Sequence, residues 1–230
     1  MIADKPGNAG ISPPANPTAA YIAPFLVYVG MIALPLPPHV LFWVRFFVCS
    51  ALILWLSRPY LSFRPSYALT TIAVGIAVFP IWIGPDVVFG PAYRHLFLFD
   101  NSVLGHPQSS LAPNLQRNLP FLTIRMLSSF ALVPVLEELF WRGWLMRWLI
   151  DRDFLKVPLG TYRAGAFWIV AVLFASEHGP YWDVGLITGI IYNLWVVRAR
   201  NLADCILAHA VTNAALGVYV LVAGQWQYWL

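Results

Sequence analysis

The sequence predicts an all-α fold, a polytopic transmembrane helical bundle with about seven spans (six to eight). Apolar residues make up 60% of the 230 residues and charged residues only 10%, and the mean hydropathy is positive. Long apolar runs recur along the chain, separated by stretches that contain proline, glycine or charge. This composition excludes a soluble domain and is typical of membrane proteins. At about 20 residues per span, the chain has room for seven or eight helices.

Three spans are predicted before a long polar loop. They are residues 21–34, 39–56 and 67–83. The first and third end at prolines, which interrupt helices. The loop at 86–118 should contain a short interfacial helix. Residues 1–20 lack an apolar segment behind a basic one, so we expect a disordered tail without a cleavable signal peptide.

Four more spans are predicted after the loop. They are residues 119–150, 163–176, 184–197 and 202–222. Pro134 lies in the fourth span, one turn before an acidic pair. A proline there should kink the helix and free a backbone carbonyl. Cys49 and Cys205 lie in apolar runs, which indicates small packing residues and not a disulfide or a metal pair.

The basic residues predict the orientation in the membrane. With seven spans, one side collects Lys5, Arg58, Arg64, Arg147, Arg152, Lys156, Arg163, Arg198 and Arg200. The other side has Arg94 and Arg117, and Arg45 is an intramembrane charge near the outer end of the second span. Because basic loops stay in the cytoplasm, the N-terminus should be cytoplasmic and the C-terminus outside. The net charge of +4 therefore reflects membrane topology, and no nucleic-acid partner is expected.

The acidic pair in the fourth span is the strongest functional signal. An ionised carboxylate at membrane depth costs several kcal/mol unless it is paired or lines a wet cavity. Glu138 and Arg142 are four residues apart, so they can form an ion pair on one helix face. Glu137 is rotated by about 100° from Glu138. It must therefore find its partner on another helix.

Two histidines and an asparagine are predicted at comparable depth on other helices. The helical rise places Glu137, His178 and His209 about 15, 22 and 14 Å from the cytoplasmic boundary. His209 and Asn213 are four residues apart, so their side chains point into the same space. His178 ends its helix beside Gly179 and Pro180, where a cavity is expected.

This set of side chains suits hydrolysis by two routes. His178 and His209 could hold a divalent metal such as zinc, with Glu137 as the base for the bound water. Alternatively, Glu137 and one histidine activate water directly, while Asn213 and the other histidine stabilise the oxyanion. Each residue alone has a structural explanation: a salt-bridged helix end, an interhelical hydrogen bond, or, for Glu177, a charge at the outer surface.

Three short motifs occur in order on separate helices: Glu137-Glu138-x-x-x-Arg142, Phe174-x-x-x-His178 and His209-x-x-x-Asn213. Over residues 119–222, this pattern resembles the CPBP (CAAX protease and bacteriocin-processing, also called ABI) intramembrane proteases, which include the CAAX prenyl proteases. The resemblance implies catalytic roles for Glu137, His178, His209 and Asn213, with Glu138, Arg142 and Phe174 in support. It leaves the metal open, since both a metalloprotease and a metal-free, glutamate-dependent mechanism are discussed for the family.

The resemblance also implies a division of the chain and a substrate class. Residues 21–118 would form the N-terminal spans and outer loop, and residues 119–230 the catalytic core. A wet cavity between the fourth, fifth and seventh spans would admit a membrane-anchored or lipidated protein or peptide from the lipid bilayer. The charge distribution suggests a bacterial inner membrane, and the compact chain suggests the branch that accompanies exosortase-type sorting systems.

Three other functions compete with proteolysis. A non-catalytic membrane scaffold or immunity factor would retain the fold and tolerate loss of Glu137. An ion-coupled transporter would also use intramembrane Glu and His, but the chain shows no internal repeat. A di-iron oxidase would need more carboxylates and a Glu-x-x-His spacing, which is missing here.

Overall fold

The computed structural model describes residues 16–109 and 111–229, and every regular element in these ranges is helical. Seven helices follow one another along the described chain: α1 (Pro17–Ala33), α2 (Pro38–Tyr60), α3 (Ala68–Phe89), α4 (Leu119–Trp148), α5 (Ala164–Ser176), α6 (Trp182–Ala199) and α7 (Leu202–Ala223). Four of them, α2, α3, α4 and α7, are long and apolar enough to cross a membrane, while α1 and α5 are shorter apolar helices. The all-α prediction is confirmed, and the count of seven spans stays a prediction.

Several helix boundaries differ from the predicted ones, among them the start of α1 and the end of α3. Helix α1 begins at Pro17, because the Asn16 side chain accepts a hydrogen bond from the Ala19 amide at 3.4 Å and caps the helix. Most of the predicted tail, residues 1–15, lies outside the described residues. Helix α3 continues through Pro80 and Pro85 to Phe89, so its predicted end was wrong. Prolines are tolerated inside such helices when neighbouring groups satisfy the freed carbonyls.

Helix α4 is not a uniform α-helix. Two π-helical stretches, Ser128–Leu132 and Leu139–Leu145, bracket the α-helical segment Val133–Glu138. The Val133 amide donates to the Ser128 carbonyl, five residues back. In this register the Ser129 carbonyl would pair with the next amide, which Pro134 lacks. The predicted free carbonyl is present: Ser129 O accepts a hydrogen bond from Asn213 Nδ2 at 2.9 Å.

Helices α3 and α7 approach each other closely. A Cβ atom on Gly75 would lie 2.5 Å from the Ala208 carbonyl oxygen, so only glycine fits there. The Thr212 hydroxyl donates to the Gly75 carbonyl at 2.9 Å. This contact holds α7, which carries His209 and Asn213, at a fixed depth against α3.

Asp204, at the start of α7, caps the beginning of α3. Its carboxylate accepts hydrogen bonds from the Ser66 and Tyr67 amides at 2.7 and 2.9 Å and from the Thr71 hydroxyl at 2.7 Å. These bonds satisfy amide groups that a helix N-terminus leaves unpaired. Asp204 is fully buried, and its role was not predicted from the sequence. The two cysteines, Cys49 and Cys205, are buried, as predicted for small packing residues.

The long loop is fastened to the end of the bundle by Arg94. This buried guanidinium bonds Asp86 Oδ1 on α3 at 2.7 Å and Asp183 Oδ1 on α6 at 2.6 Å. Further along the loop, the Leu98 carbonyl accepts a hydrogen bond from Trp182 Nε1 at 2.9 Å. In place of an interfacial helix, the described part of the loop contains two short 3₁₀ turns, Pro91–His95 and Leu115–Arg117.

Candidate active site

A buried ion pair lies at the centre of the bundle. The Arg142 Nη1 atom is 2.9 Å from Glu138 Oε1, and both side chains are fully buried. The pair has the predicted i, i+4 geometry. Glu138 Oε1 also lies 3.0 Å from His209 Nδ1 on α7. One carboxylate oxygen therefore links α4 to α7.

Arg142 extends this network to the two remaining helices of the site. Its Nε donates to Asn193 Oδ1 on α6 at 2.9 Å, and its Nη2 donates to the Gly189 carbonyl at 3.3 Å. The Asn193 amide in turn donates to the Phe167 carbonyl on α5 at 2.8 Å. The guanidinium carbon lies 4.4 Å from the centroid of the Phe174 ring. Arg142 therefore makes polar contacts within α4 and to α6, while its guanidinium packs on α5.

Glu137 has a different environment from Glu138. Its side chain is 13% exposed, and its Oε2 atom is 4.0 Å from His209 Nε2. That buried oxygen has no hydrogen-bond partner among the described residues. The partner expected on another helix is thus His209, at a distance too long for a direct hydrogen bond. A gap of this length leaves Glu137 available to another molecule.

The contacts of His209 select its tautomer. The ionised carboxylate of Glu138, paired with Arg142, can only accept hydrogen bonds. In the contact between Glu138 and His209, the hydrogen must therefore lie on the Nδ1 atom of His209. In a neutral ring, Nε2 then presents a lone pair to Glu137. The ring is also held between aromatic neighbours, 5.2 Å from the centroid of Tyr192 and 6.1 Å from that of Phe174.

His178 is oriented in the same way by its own helix. Its Nδ1 atom lies 2.7 Å from the Phe174 carbonyl oxygen, which can only accept. The Nε2 atom of a neutral His178 is therefore also an acceptor. The ring packs against Trp82 and Phe174, with centroid distances of 5.2 and 4.8 Å. A carbonyl freed at the end of α5 thus fixes this imidazole.

A cavity of about 530 Å³ brings the four predicted catalytic residues together. Glu137, His178, His209 and Asn213 all line it. The Asn213 amide has one hydrogen committed to Ser129 and a second one free for another acceptor. Helices α4 and α7 line the cavity as expected, whereas the wall expected from α5 is formed by residues 177–181, which follow it. Side chains from α1, α2 and α3 also line the cavity, which was not predicted.

Sequence reasoning missed three charged residues of the cavity wall. Glu177 lines the cavity, and its Oε1 accepts a hydrogen bond from Trp141 Nε1 at 3.0 Å. Its position beside His178 was the available signal. Arg45 and Arg125 line the same cavity. Arg45 was predicted only as an intramembrane charge, and Arg125 gave no signal because nothing local marks which face of α4 turns inwards.

The donor atoms do not form a recognisable metal site. Within residues 16–109 and 111–229, no group of three or more His, Cys, Asp or Glu side chains could hold a metal ion. Zinc sites use three or four such ligands, so the described side chains do not fit one. The assignment of His178 and His209 as metal ligands stays a prediction.

Comparison with known protein families gives one match. Residues 119–215 match the family model described as type II CAAX prenyl endopeptidase Rce1-like. No curated protein and no solved structure matches the chain. The matched segment runs from the start of α4 into α7 and contains all the residues of the three motifs. Together with the four apolar helices, the match supports an integral membrane protein of the lipid bilayer. The matched part of the chain, which is less than half of its length, is similar to type II CAAX prenyl endopeptidases of the Rce1-like family.

Proposed function

We propose that this protein is an intramembrane endopeptidase that hydrolyses a peptide bond of a membrane-associated or lipidated protein or peptide, with Glu137 activating the water. One observation carries the proposal. The unpaired carboxylate of Glu137 faces the His209 Nε2 atom at 4.0 Å, at the wall of a cavity inside an apolar bundle. A water molecule in that cavity can donate one hydrogen bond to each of these two acceptors.

The first step forms the bond between the water oxygen and the carbonyl carbon of the scissile peptide. Glu137 takes one proton of the water as general base, and His209 Nε2 orients the molecule through the other. Glu138 and Arg142 act on this step through His209, because their contacts fix the tautomer. They are positioning residues.

The second step breaks the carbon–nitrogen bond. The carbonyl oxygen of the tetrahedral intermediate carries a negative charge, and the free amide hydrogen of Asn213 is the neutral donor available to it. Glu137 returns its proton to the leaving nitrogen, which gives a carboxylic acid and an amine. The acid then passes its own proton to the amine, so that the products leave as a carboxylate and an ammonium group. His178, with its Nε2 lone pair facing the cavity, accepts a hydrogen bond from the substrate backbone or from water.

We place the protein in a bacterial inner membrane, on the charge distribution of its sequence. The N-terminus then lies in the cytoplasm and the C-terminus outside, because the basic loops predict this orientation. The substrate then reaches the cavity from the bilayer.

The decisive experiment compares the wild type with Glu137→Gln in detergent or nanodiscs, on a library of membrane peptides. Glutamine keeps the shape of the side chain but cannot accept the proton. We expect cleavage to fall by about 10²–10⁴-fold with an unchanged melting temperature. Asp151→Asn, an exposed acid-to-amide change in the loop after α4, should leave both properties unchanged.

Metal content, measured on the same samples, tests the other route. If the wild type contains stoichiometric zinc and the variants His178→Ala and His209→Ala lose it, the metal-free mechanism is wrong and the zinc-dependent one replaces it. Full turnover in both Glu137→Gln and Glu137→Ala would refute a role for Glu137. A scaffold or immunity factor would show no cleavage at all and would keep its cellular phenotype in Glu137→Gln.

A further inference from the structure

One segment of the long loop, residues 96–105, presents a group of exposed apolar side chains. Phe97 is 82% exposed and Val103 is 89% exposed. Leu96 and Leu98 are each more than half exposed. On a surface that faces water, large apolar side chains are normally scattered singly. Here four of them fall within eight residues, so this segment needs an apolar partner.

The charge of the segment is paired with the residues that flank it. Asp100 is the single charged residue in residues 96–105. Its carboxylate accepts a hydrogen bond from His95 Nδ1 at 2.8 Å and another from His106 Nδ1. These two histidines lie immediately before and immediately after the segment. The carboxylate is therefore held at the ends of the segment by polar neighbours, and the segment has no unpaired charge to oppose an apolar partner.

The backbone of the segment is largely satisfied within the protein. The Asn101 side-chain oxygen accepts hydrogen bonds from the Val103 and Leu104 amides, both at 3.0 Å. Three consecutive carbonyls also have donors: Leu96 has the Phe99 amide at 2.8 Å, Phe97 has Asn101 Nδ2 at 2.8 Å, and Leu98 has Trp182 Nε1 at 2.9 Å. A loop in water does not need such donors, because water supplies them. Next to lipid, where water is scarce, unpaired carbonyls would be costly.

The exposed side chains continue the bilayer-facing surface of α3. This helix is one of the four that are long and apolar enough to cross a membrane. Its last three residues, Val87, Val88 and Phe89, are mostly exposed as well. Arg94 holds the following chain against this end of α3 through Asp86 Oδ1 at 2.7 Å. The segment therefore lies close to the level at which α3 leaves the membrane.

We propose that residues 96–105 form a membrane-contact loop, whose side chains Phe97, Leu98 and Val103 are seated in the interfacial layer of the leaflet in which α3 ends. The partner is lipid, because the exposed side chains adjoin a helix surface that lipid covers. Apolar groups at such a surface reach roughly 5–10 Å into the boundary between headgroups and acyl chains. Leu104 of the same segment lines the cavity, so the membrane-contact loop connects the bilayer with the wall of the candidate site. The inference is independent of the proposed protease.

The test places one fluorescent label at a time on the full chain in phospholipid vesicles. Phe97→Cys and Val103→Cys carry the environment-sensitive fluorophore NBD on the membrane-contact loop. Gln108→Cys, an exposed polar position further along the same loop, is the matched control. Ile76→Cys, an exposed position in the middle of α3, gives the signal of a label that faces lipid.

The two native cysteines are buried, so wild-type protein treated with the same reagent measures the background. The melting temperature of each labelled variant is compared with that of the wild type, which shows that the variant is folded. Should one of the two loop variants not fold, the other still decides the question.

We expect the labels on the membrane-contact loop to emit at shorter wavelength than the control label. Phospholipids brominated close to the headgroup should quench them more than phospholipids brominated near the middle of the bilayer. The label at Ile76→Cys should show the opposite order. Iodide in the water should quench the label at Gln108→Cys strongly and the loop labels much less.

Three results would overturn the proposal. Loop labels that iodide quenches as fully as the control, with no effect of brominated lipid, would place the segment in water. A shift to shorter wavelength that increases with the protein-to-lipid ratio, without quenching by brominated lipid, would mean that a second copy of the chain covers the segment. The same shift at every ratio, without quenching by either agent, would mean that the segment packs against its own bundle.

Discussion

Glu137 and Glu138 are adjacent in the chain, yet their surroundings give them different tasks. Glu138 is fully buried and accepts hydrogen bonds from Arg142 and His209, so its charge is neutralised within the protein. Glu137 faces the cavity and has one oxygen without a partner among the described residues. The helical angle of about 100° between neighbours produces this separation. One residue of the pair is therefore structural and the other is free to react.

The Glu138–Arg142 pair should be essential for stability. Removing one partner of a fully buried pair leaves a charge without compensation, which costs about 3–5 kcal/mol. We expect Glu138→Ala and Arg142→Met each to lower the melting temperature in detergent and to abolish activity. Replacing both charges, in Glu138→Leu/Arg142→Met, should recover much of the stability but no activity, because His209 would lack its acceptor.

An exposed ion pair provides the control. Lys156 and Asp153 are 3.0 Å apart in the loop after α4, and both are largely exposed. Asp153→Asn should change neither the melting temperature nor the activity, because water screens exposed ion pairs. Melting temperatures of the single variants equal to that of the wild type would contradict the assigned role of the buried pair.

At the scale of single residues, the sequence predicted the contacts between residues that are close in the chain. The i, i+4 pairs Glu138–Arg142 and His209–Asn213 follow from helical geometry alone. The partners that complete the site do not, because Asn193 and Gly189 lie about 50 residues away in the chain and meet Arg142 only through the packing of α6 on α4. Arg45 was visible as an intramembrane charge, but its contact with the cavity depends on how α2 packs.

At the scale of the element, α4 shows how one proline shapes the site. The Ser129 carbonyl is free because Pro134 lacks the amide that the π-helical register would offer. Asn213 then uses this carbonyl as its anchor. The effect could be predicted for Pro134, which precedes the acidic pair. The same reasoning failed at Pro85, which was predicted to end the third span, since α3 continues through it to Phe89.

Pro134→Ala should therefore reduce activity without loss of stability. Alanine restores the amide, which can pair with the Ser129 carbonyl and displace Asn213. Helix stability should be equal or higher, because proline is the least favourable residue in a helix interior. We expect kcat to fall by about tenfold or more, as a misplacement of about 1 Å in a catalytic group produces large losses. The measurement is kcat and melting temperature on the same preparation.

Pro80→Ala supplies the comparison for this experiment. Pro80 is an exposed proline inside α3, and it contributes nothing to the cavity wall. Its replacement should leave kcat unchanged. An equal decrease of kcat in both variants, or none in Pro134→Ala, would show that the free carbonyl does not position Asn213.

At the scale of the whole molecule, the long loop closes one end of the bundle over the site. Leu104 lines the cavity, and Gly179, next to His178, has φ +52° with no room for a Cβ atom, which would lie 2.7 Å from the Leu104 carbonyl oxygen. This arrangement could not be predicted from the sequence, since loop residues 86–118 carry no periodic pattern. Hydrophobicity predicted the all-helical fold, but the loop is placed by long-range polar contacts.

Arg94 is the residue that fastens this loop, so its loss should release it. In Arg94→Met, the carboxylates of Asp86 and Asp183 lose their counter-charge while remaining 14% and 17% exposed. Breaking a largely buried network of this kind costs about 3 kcal/mol. We expect a lower melting temperature and faster hydrogen exchange at residues 96–109, with lower activity because the cover of the cavity is loosened. Arg117→Met, from the exposed part of the same loop, should change none of these. Exchange at residues 96–109 that stays at the wild-type rate in Arg94→Met would mean that the contacts of Leu98 and Leu104 with the bundle suffice to hold the loop without the ion pairs.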